Sequence, residues 1–170
     1  MQQRHVLGDG TLIVLADLGQ YTSFVHQDWD EDFRLPKHLL AESDQKHIAL
    51  WGTGFDCDWL VEFREGISDL PGHRSMEQFL QNTTGTLHLI NFDSLTMAAQ
   101  FAHNTLPDEE TAACAIDLPQ GLLRLRIVQL IDLAVDDPGI DRGMQPGFVV
   151  EYALCEAGEN QLPRVPWAAL

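Results

Sequence analysis

Apolar residues in this chain come mostly as short runs of β-branched and aromatic side chains separated by Gly, Pro and Asp. Runs of that length and spacing are how an antiparallel β protein reads, because a strand needs only a few residues and each reversal needs a turn former. Strands are expected at 11–18 "TLIVLADL", 46–51 "KHIALW", 58–63 "DWLVEF", 85–92 "GTLHLINF", 113–118 "ACAIDL", 122–130 "LLRLRIVQL" and 148–154 "FVVEYAL". Three hairpins follow from the turn signals. Gly19 reverses 11–18 into 21–26 "YTSFVH", "GTGFDC" joins 46–51 to 58–63, and Pro-Gln-Gly at 119–121 joins 113–118 to 122–130.

Helical signals are fewer. The stretch 35–43 "LPKHLLAES" carries Pro36 where a first helical turn tolerates it. In 74–82 "RSMEQFLQN", Ser75 and Gln78 have capping-box spacing, so a short helix is expected there. Leu95, Ala98, Ala99 and Ala102 form an apolar stripe over 95–103, which Asp93 or Ser94 can cap. The expected fold is mainly β: an antiparallel β sandwich with one well-marked helix and one or two short ones, an α+β arrangement being the alternative. At 170 residues with no internal repeat, one domain spanning 1–170 is expected. Its last residues, 162–170 "LPRVPWAAL", would run as an extended tail anchored by Trp167.

Charge limits the partners. The chain holds 26 acidic and 10 basic residues, a formal −16, and each half carries −8 when it is divided after residue 85. Such a surface repels phosphate backbones and anionic lipid and draws in cationic proteins, so the expected partner is a basic protein, with no nucleic acid and no membrane. Cys57, Cys114 and Cys155 are odd in number and widely spaced, which fits reduced thiols in a cytoplasmic protein rather than a disulfide framework or zinc ribbon. No apolar run approaches the roughly 20 residues that span a bilayer.

Local motifs narrow the chemistry. "GTG" at 52–54 lacks a third glycine and leads into a strand, so it reads as a turn that presents Asp56 and Asp58 at its tip. "DWDED" at 28–32 has the spacing that opens a calcium loop, but Phe33 stands where that loop needs Gly and Leu39 where it needs Glu. Asp28, Trp29, Asp30, Glu31 and Asp32 therefore read as a solvated acidic loop whose Trp29 either anchors a basic partner or tucks under the loop as core. The seven histidines show no metal-ligand spacing, although His26 and His88 could meet a carboxylate in the fold. No cofactor or metal is expected.

Two segments, 115–130 "AIDLPQGLLRLRIVQL" and 18–29 "LGQYTSFVHQDW", resemble the competence protein J family of bacterial nuclease inhibitors. That resemblance implies a small cytosolic β-rich protein that binds and inhibits a nuclease. The combined reading is a non-enzymatic acidic binding module of the inhibitor or immunity type. Asp28, Trp29, Asp30, Glu31, Asp32, Asp56 and Asp58 are its candidate contacts with a basic nuclease or toxin. The alternatives are a small hydrolytic enzyme with a site assembled from His and Asp/Glu on different strands, and a self-assembling structural subunit.

Overall fold

A computed structural model describes residues 2–8, 10–27, 34–136 and 145–156. In chain order the elements are β1 (Gln2–Val6), β2 (Leu12–Ala16), α1 (Arg34–Asp44), β3 (Ile48–Gly52), β4 (Trp59–Glu65), β5 (Arg74–Asn82) and β6 (Thr86–Ile90). They continue as α2 (Phe92–Gln100), α3 (Glu109–Ala113), β7 (Ala115–Asp117), β8 (Gly121–Gln129) and β9 (Phe148–Leu154). The strands form a five-stranded sheet in the order β1-β4-β9-β8-β5 and a four-stranded sheet in the order β3-β2-β6-β7. Neighbours are antiparallel except β4 and β9, which run parallel. The fold is thus mainly β, two sheets with three short helices.

The inward faces of both sheets pack on one core. Ile13, Leu15 and Trp51 come from one sheet and Val61, Phe63, Ile127 and Phe148 from the other. Phe148 is its centre, with ring centroids 4.9 Å from Trp59 in an edge-on contact and 6.0 Å from Trp51. A second apolar layer lies behind the four-stranded sheet. There Val14, Ile48, Leu50 and Ile90 meet Leu35 and Leu39 of α1 and Leu95 and Ala99 of α2. This is why β2, "LIVLA", and β3, "IALWG", are buried at every position.

Two of the expected helices form. In α1, Pro36 lies in the first turn as expected. In α2, the N-cap is Asn91 rather than Asp93 or Ser94, its side chain accepting from Ser94 N at 2.9 Å. The third expected helix, 74–82, is instead the long strand β5. Its inward positions include Arg74, Gln78 and Asn82, which bond backbone rather than fill core. Gln78 donates to Leu50 O at 2.8 Å and accepts from Leu50 N at 3.1 Å, and Arg74 reaches Gly52 O at 3.3 Å. Asn82 donates to Leu118 O at 3.0 Å. The free edge of β3 is therefore satisfied by side chains from the opposite sheet. Across the sandwich, Gln2 and Arg4 of β1 do the same for β7, donating to Asp117 O at 2.7 Å and Ala115 O at 2.8 Å.

None of the three expected hairpins forms. Residues 21–26 are irregular and lie over α2, where the amides of Val25 and His26 donate to Ala99 O at 2.8 and 3.2 Å. β3 and β4 form where expected but belong to different sheets, and so do β7 and β8. A connection that crosses between sheets uses the same Gly and Pro residues as one that folds a strand back on its neighbour, which is why the turn signals read alike.

Candidate partner-binding end of the sandwich

β1 and β3 finish, and β2 and β4 begin, at one end of the sandwich. Gly8 and Gly10, which follow β1, meet the connection 53–58 there and are tied to it by the two predicted acidic residues. Asp58 Oδ1 accepts from Gly8 N at 2.8 Å, and Asp56 Oδ1 accepts from Gly10 N at 3.1 Å. Gly8 permits this approach, since a Cβ there would fall 2.3 Å from the carbonyl carbon of Cys57. Both aspartates remain exposed, so each fixes a loop while leaving carboxylate surface to solvent. Thr53 and Trp59 finish the arrangement by donating to Phe55 O at 2.8 and 3.3 Å.

These bonds hold large apolar side chains out of the core. Leu7 is 49% exposed and Phe55 46%. The segment after β8 reaches the same end, where Leu133 lies against Gly54, and it carries Val135, 82% exposed. Three of the six large exposed apolar residues among the described residues therefore gather here, the others being Phe24, Met97 and Leu154. Acidic groups stand beside them: Asp56, Asp58, and Asp132, which pairs with His73 at 3.4 Å. Among the described residues, two nearby cations, Arg4 and Arg74, face inward. Arg74 bonds Gln129 and Gly52 O, and Arg4 bonds Gln3 O and Ala115 O.

At the same end, between the close of β1 and α3, lies a pocket of 440 Å³ whose walls include Val6, Leu7, Leu89 and Cys114. Glu109 and Glu110 stand in the exposed first turn of α3, where negative charge suits the helix dipole, and both line the pocket. Asn91 donates to Glu110 at 3.0 Å. Burial, then the acids Asp58 and Asp56, raise the pKa of Cys57, and burial raises that of Cys114 as well.

Asp28, Trp29, Asp30, Glu31 and Asp32 lie outside the described residues, as do Trp167 and the 162–170 tail. His88 does come near a carboxylate, that of Asp17, with burial lowering the imidazole pKa and Asp17 opposing that shift. Asp17 is fully buried at the opposite end, however, accepting from Gly19 N at 3.0 Å and Thr83 N at 2.7 Å, so it locks the turn after β2 to the β5–β6 connection. Among the described residues no group of three or more His, Cys, Asp or Glu is placed to hold a metal. Among them, too, no helix is long and apolar enough to cross a membrane. Sequence reasoning missed Leu7, Val135, Glu109 and Glu110. Phe55 carried a legible signal, a large aromatic within a Gly- and Asp-rich connection.

The class defined by this architecture is a two-sheet β sandwich backed on one side by helices. Among solved structures it matches the protein described as Crocagin biosynthetic gene J, with a TM-score of 0.55 and 10% identity, over 91% of this chain and 99% of that one. At that identity the likeness is one of fold. It also matches ComJ from Bacillus subtilis, described as an inhibitor of the DNA-degrading activity of NucA, with a TM-score of 0.47 and 9% identity over 89% and 94% of the two chains. No protein-family model matches the sequence, and no curated protein does.

Proposed function

We propose that this chain is a non-enzymatic binding module of the inhibitor type, and that it engages a basic protein through the end of the sandwich that carries Leu7, Phe55 and Val135. The observation that supports this most is the gathering of those exposed apolar residues beside Asp56 and Asp58 on a chain of net charge −16. Carboxylates around apolar side chains suit a two-stage encounter. Long-range attraction raises the association rate, and burial of the apolar centre slows release. The sequence resemblance points, within basic proteins, to a nuclease, and the immunity-type reading adds a toxin. Asp28, Trp29, Asp30, Glu31 and Asp32 enter this reading from sequence as further contacts, so reversing Asp28, Asp30 and Asp32 to Lys should slow association at low salt.

The test is capture from a lysate of the source organism with the native chain and with a Phe55→Ser, Val135→Ser variant. Both substituted side chains are exposed, so the fold should survive. The expected result is a basic protein that the native chain retains, that high salt releases, and that the variant fails to hold. Equal retention by both chains would remove this end from the binding reaction.

A further inference from the structure

We infer that the pocket between β1 and α3 receives an arginine side chain of the basic partner, an assignment that rests on the function proposed above. Two features of the pocket select that group. Its volume, 440 Å³, falls within the range of clefts that enclose small organic groups, and the walls from Val6, Leu7 and Leu89 suit an aliphatic stem. Glu109 and Glu110 supply negative charge on the α3 side.

Glu110 is also held in place. Asn91 donates to its Oε2 at 3.0 Å while the carbonyl oxygen of the same Asn91 side chain caps α2, accepting from Ser94 N at 2.9 Å. A carboxylate offers about four acceptor sites and Asn91 uses one, so a fixed, charged acceptor faces the cleft. A planar guanidinium meets a fixed carboxylate through two parallel bonds and is more weakly hydrated than an ammonium. It therefore enters a partly apolar cleft at lower desolvation cost.

Leu7 belongs both to the pocket wall and to the exposed apolar group, so one partner can cover both.

The experiment is a titration of the full chain, followed by amide NMR shifts, with three probes: N-acetyl-arginine methylamide, its lysine counterpart, and its citrulline counterpart, which keeps the shape but not the charge. Saturable shifts confined to residues 5–7, 89–91 and 109–114 are expected with the arginine probe. Citrulline should bind at least tenfold more weakly and lysine measurably more weakly than arginine. Glu109→Gln together with Glu110→Gln should weaken the arginine probe at least tenfold, and Ala113→Trp should abolish its binding by filling the cleft. Glu109→Gln alone leaves the Asn91–Glu110 bond intact, so a loss there cannot be blamed on a disturbed α2 cap. Equal binding of arginine and citrulline, equal binding of lysine, or shifts spread over other acidic surfaces would overturn the assignment. If the titration fails while the Phe55→Ser, Val135→Ser variant still loses its partner, the pocket assignment falls and the proposed function stands. If the titration succeeds while that variant retains its partner, the pocket takes an arginine side chain, but the proposed function falls and with it the assignment of that side chain to the partner.

Discussion

The two sheets press on the same core from opposite sides, but their outer faces differ in chemistry. Behind the four-stranded sheet, Val14, Ile48, Leu50 and Ile90 are covered by α1 and α2, and the contacts are apolar. Across the outer face of the five-stranded sheet, Arg64 of β4, Glu151 of β9, Arg126 of β8 and Glu77 of β5 stand in register, opposite charges side by side. Among the described residues the cover here is the connection 66–73, which crosses from the end of β4 to the start of β5 over β9 and β8. Gly72 lets it lie close, since a Cβ there would fall 2.4 Å from a methyl of Val128. Apolar surface can be buried under anything apolar, whereas buried charge needs partners in fixed positions. Glu151, 1% exposed, has them: Arg126 at 2.9 Å, the amide of Ser68 at 3.2 Å and the hydroxyl of Ser68. Arg126 in turn donates to Leu70 O at 3.0 Å, so one ion pair also fastens the crossing segment.

Unfolding free energies, measured by urea titration, should separate the two faces. Leu50→Ala, at a fully buried position under the helices, should cost about 4 kcal/mol and cost the same at pH 7 and pH 4. An effect that varied with pH would contradict the apolar account of that face. Arg126→Met should cost about 3 kcal/mol at pH 7, because it leaves Glu151 buried without its cation.

That second loss should shrink in acid. Burial raises the Glu151 pKa, but the hydrogen bonds from Ser68 and Arg126 outweigh it and set the folded value below the ordinary 4.5. A depressed carboxyl stabilises the fold above its unfolded pKa and loses that contribution as pH falls through its folded value. The native chain should therefore lose stability below about pH 4.5, and Arg126→Met should lose less on the same descent. Parallel pH curves for the two chains would dissociate Arg126 from Glu151 energetically.

Gln78→Leu sharpens the comparison where the sheets meet at their edges. It leaves the N–H and C=O of Leu50 without their partner and should cost about 2 kcal/mol. Indifference to this change would mean that water reaches the β3 edge. The smallest effect is expected from Glu77→Ala, which removes the exposed pair with Arg124 at 2.8 Å and should cost about 0.5 kcal/mol.

The same contrast accounts for what is legible in the sequence and what is not. β2 and β3 are legible because a short, unbroken apolar run fits a strand buried on both faces, and β8 because its charged and apolar residues alternate. β5 reads as a helix because its inward positions alternate polar with apolar, Arg74, Met76, Gln78, Leu80, Asn82, while Phe79 faces out. Those polar residues answer the backbone of β3, and no local pattern encodes a partner 28 residues away. β1 escapes a sequence reading for the same reason, since Gln2 and Arg4 face β7. At the candidate binding end, composition is enough to single out Asp56 and Asp58. Their bonds to Gly10 and Gly8, separated by 46 and 50 residues, lie beyond it.

By itself the sequence determined the β-rich class, most strand positions, two helices and the strong negative charge, because these depend on composition and on patterns a few residues long. Tertiary structure decided which strands pair, which polar residues turn inward, and that Leu7, Phe55 and Val135 share one end with the pocket at β1 and α3. Those outcomes rest on contacts between distant segments. A turn sequence fixes that the chain reverses but leaves open which sheet it joins, and that choice is made by whichever edge offers the unpaired backbone groups a partner.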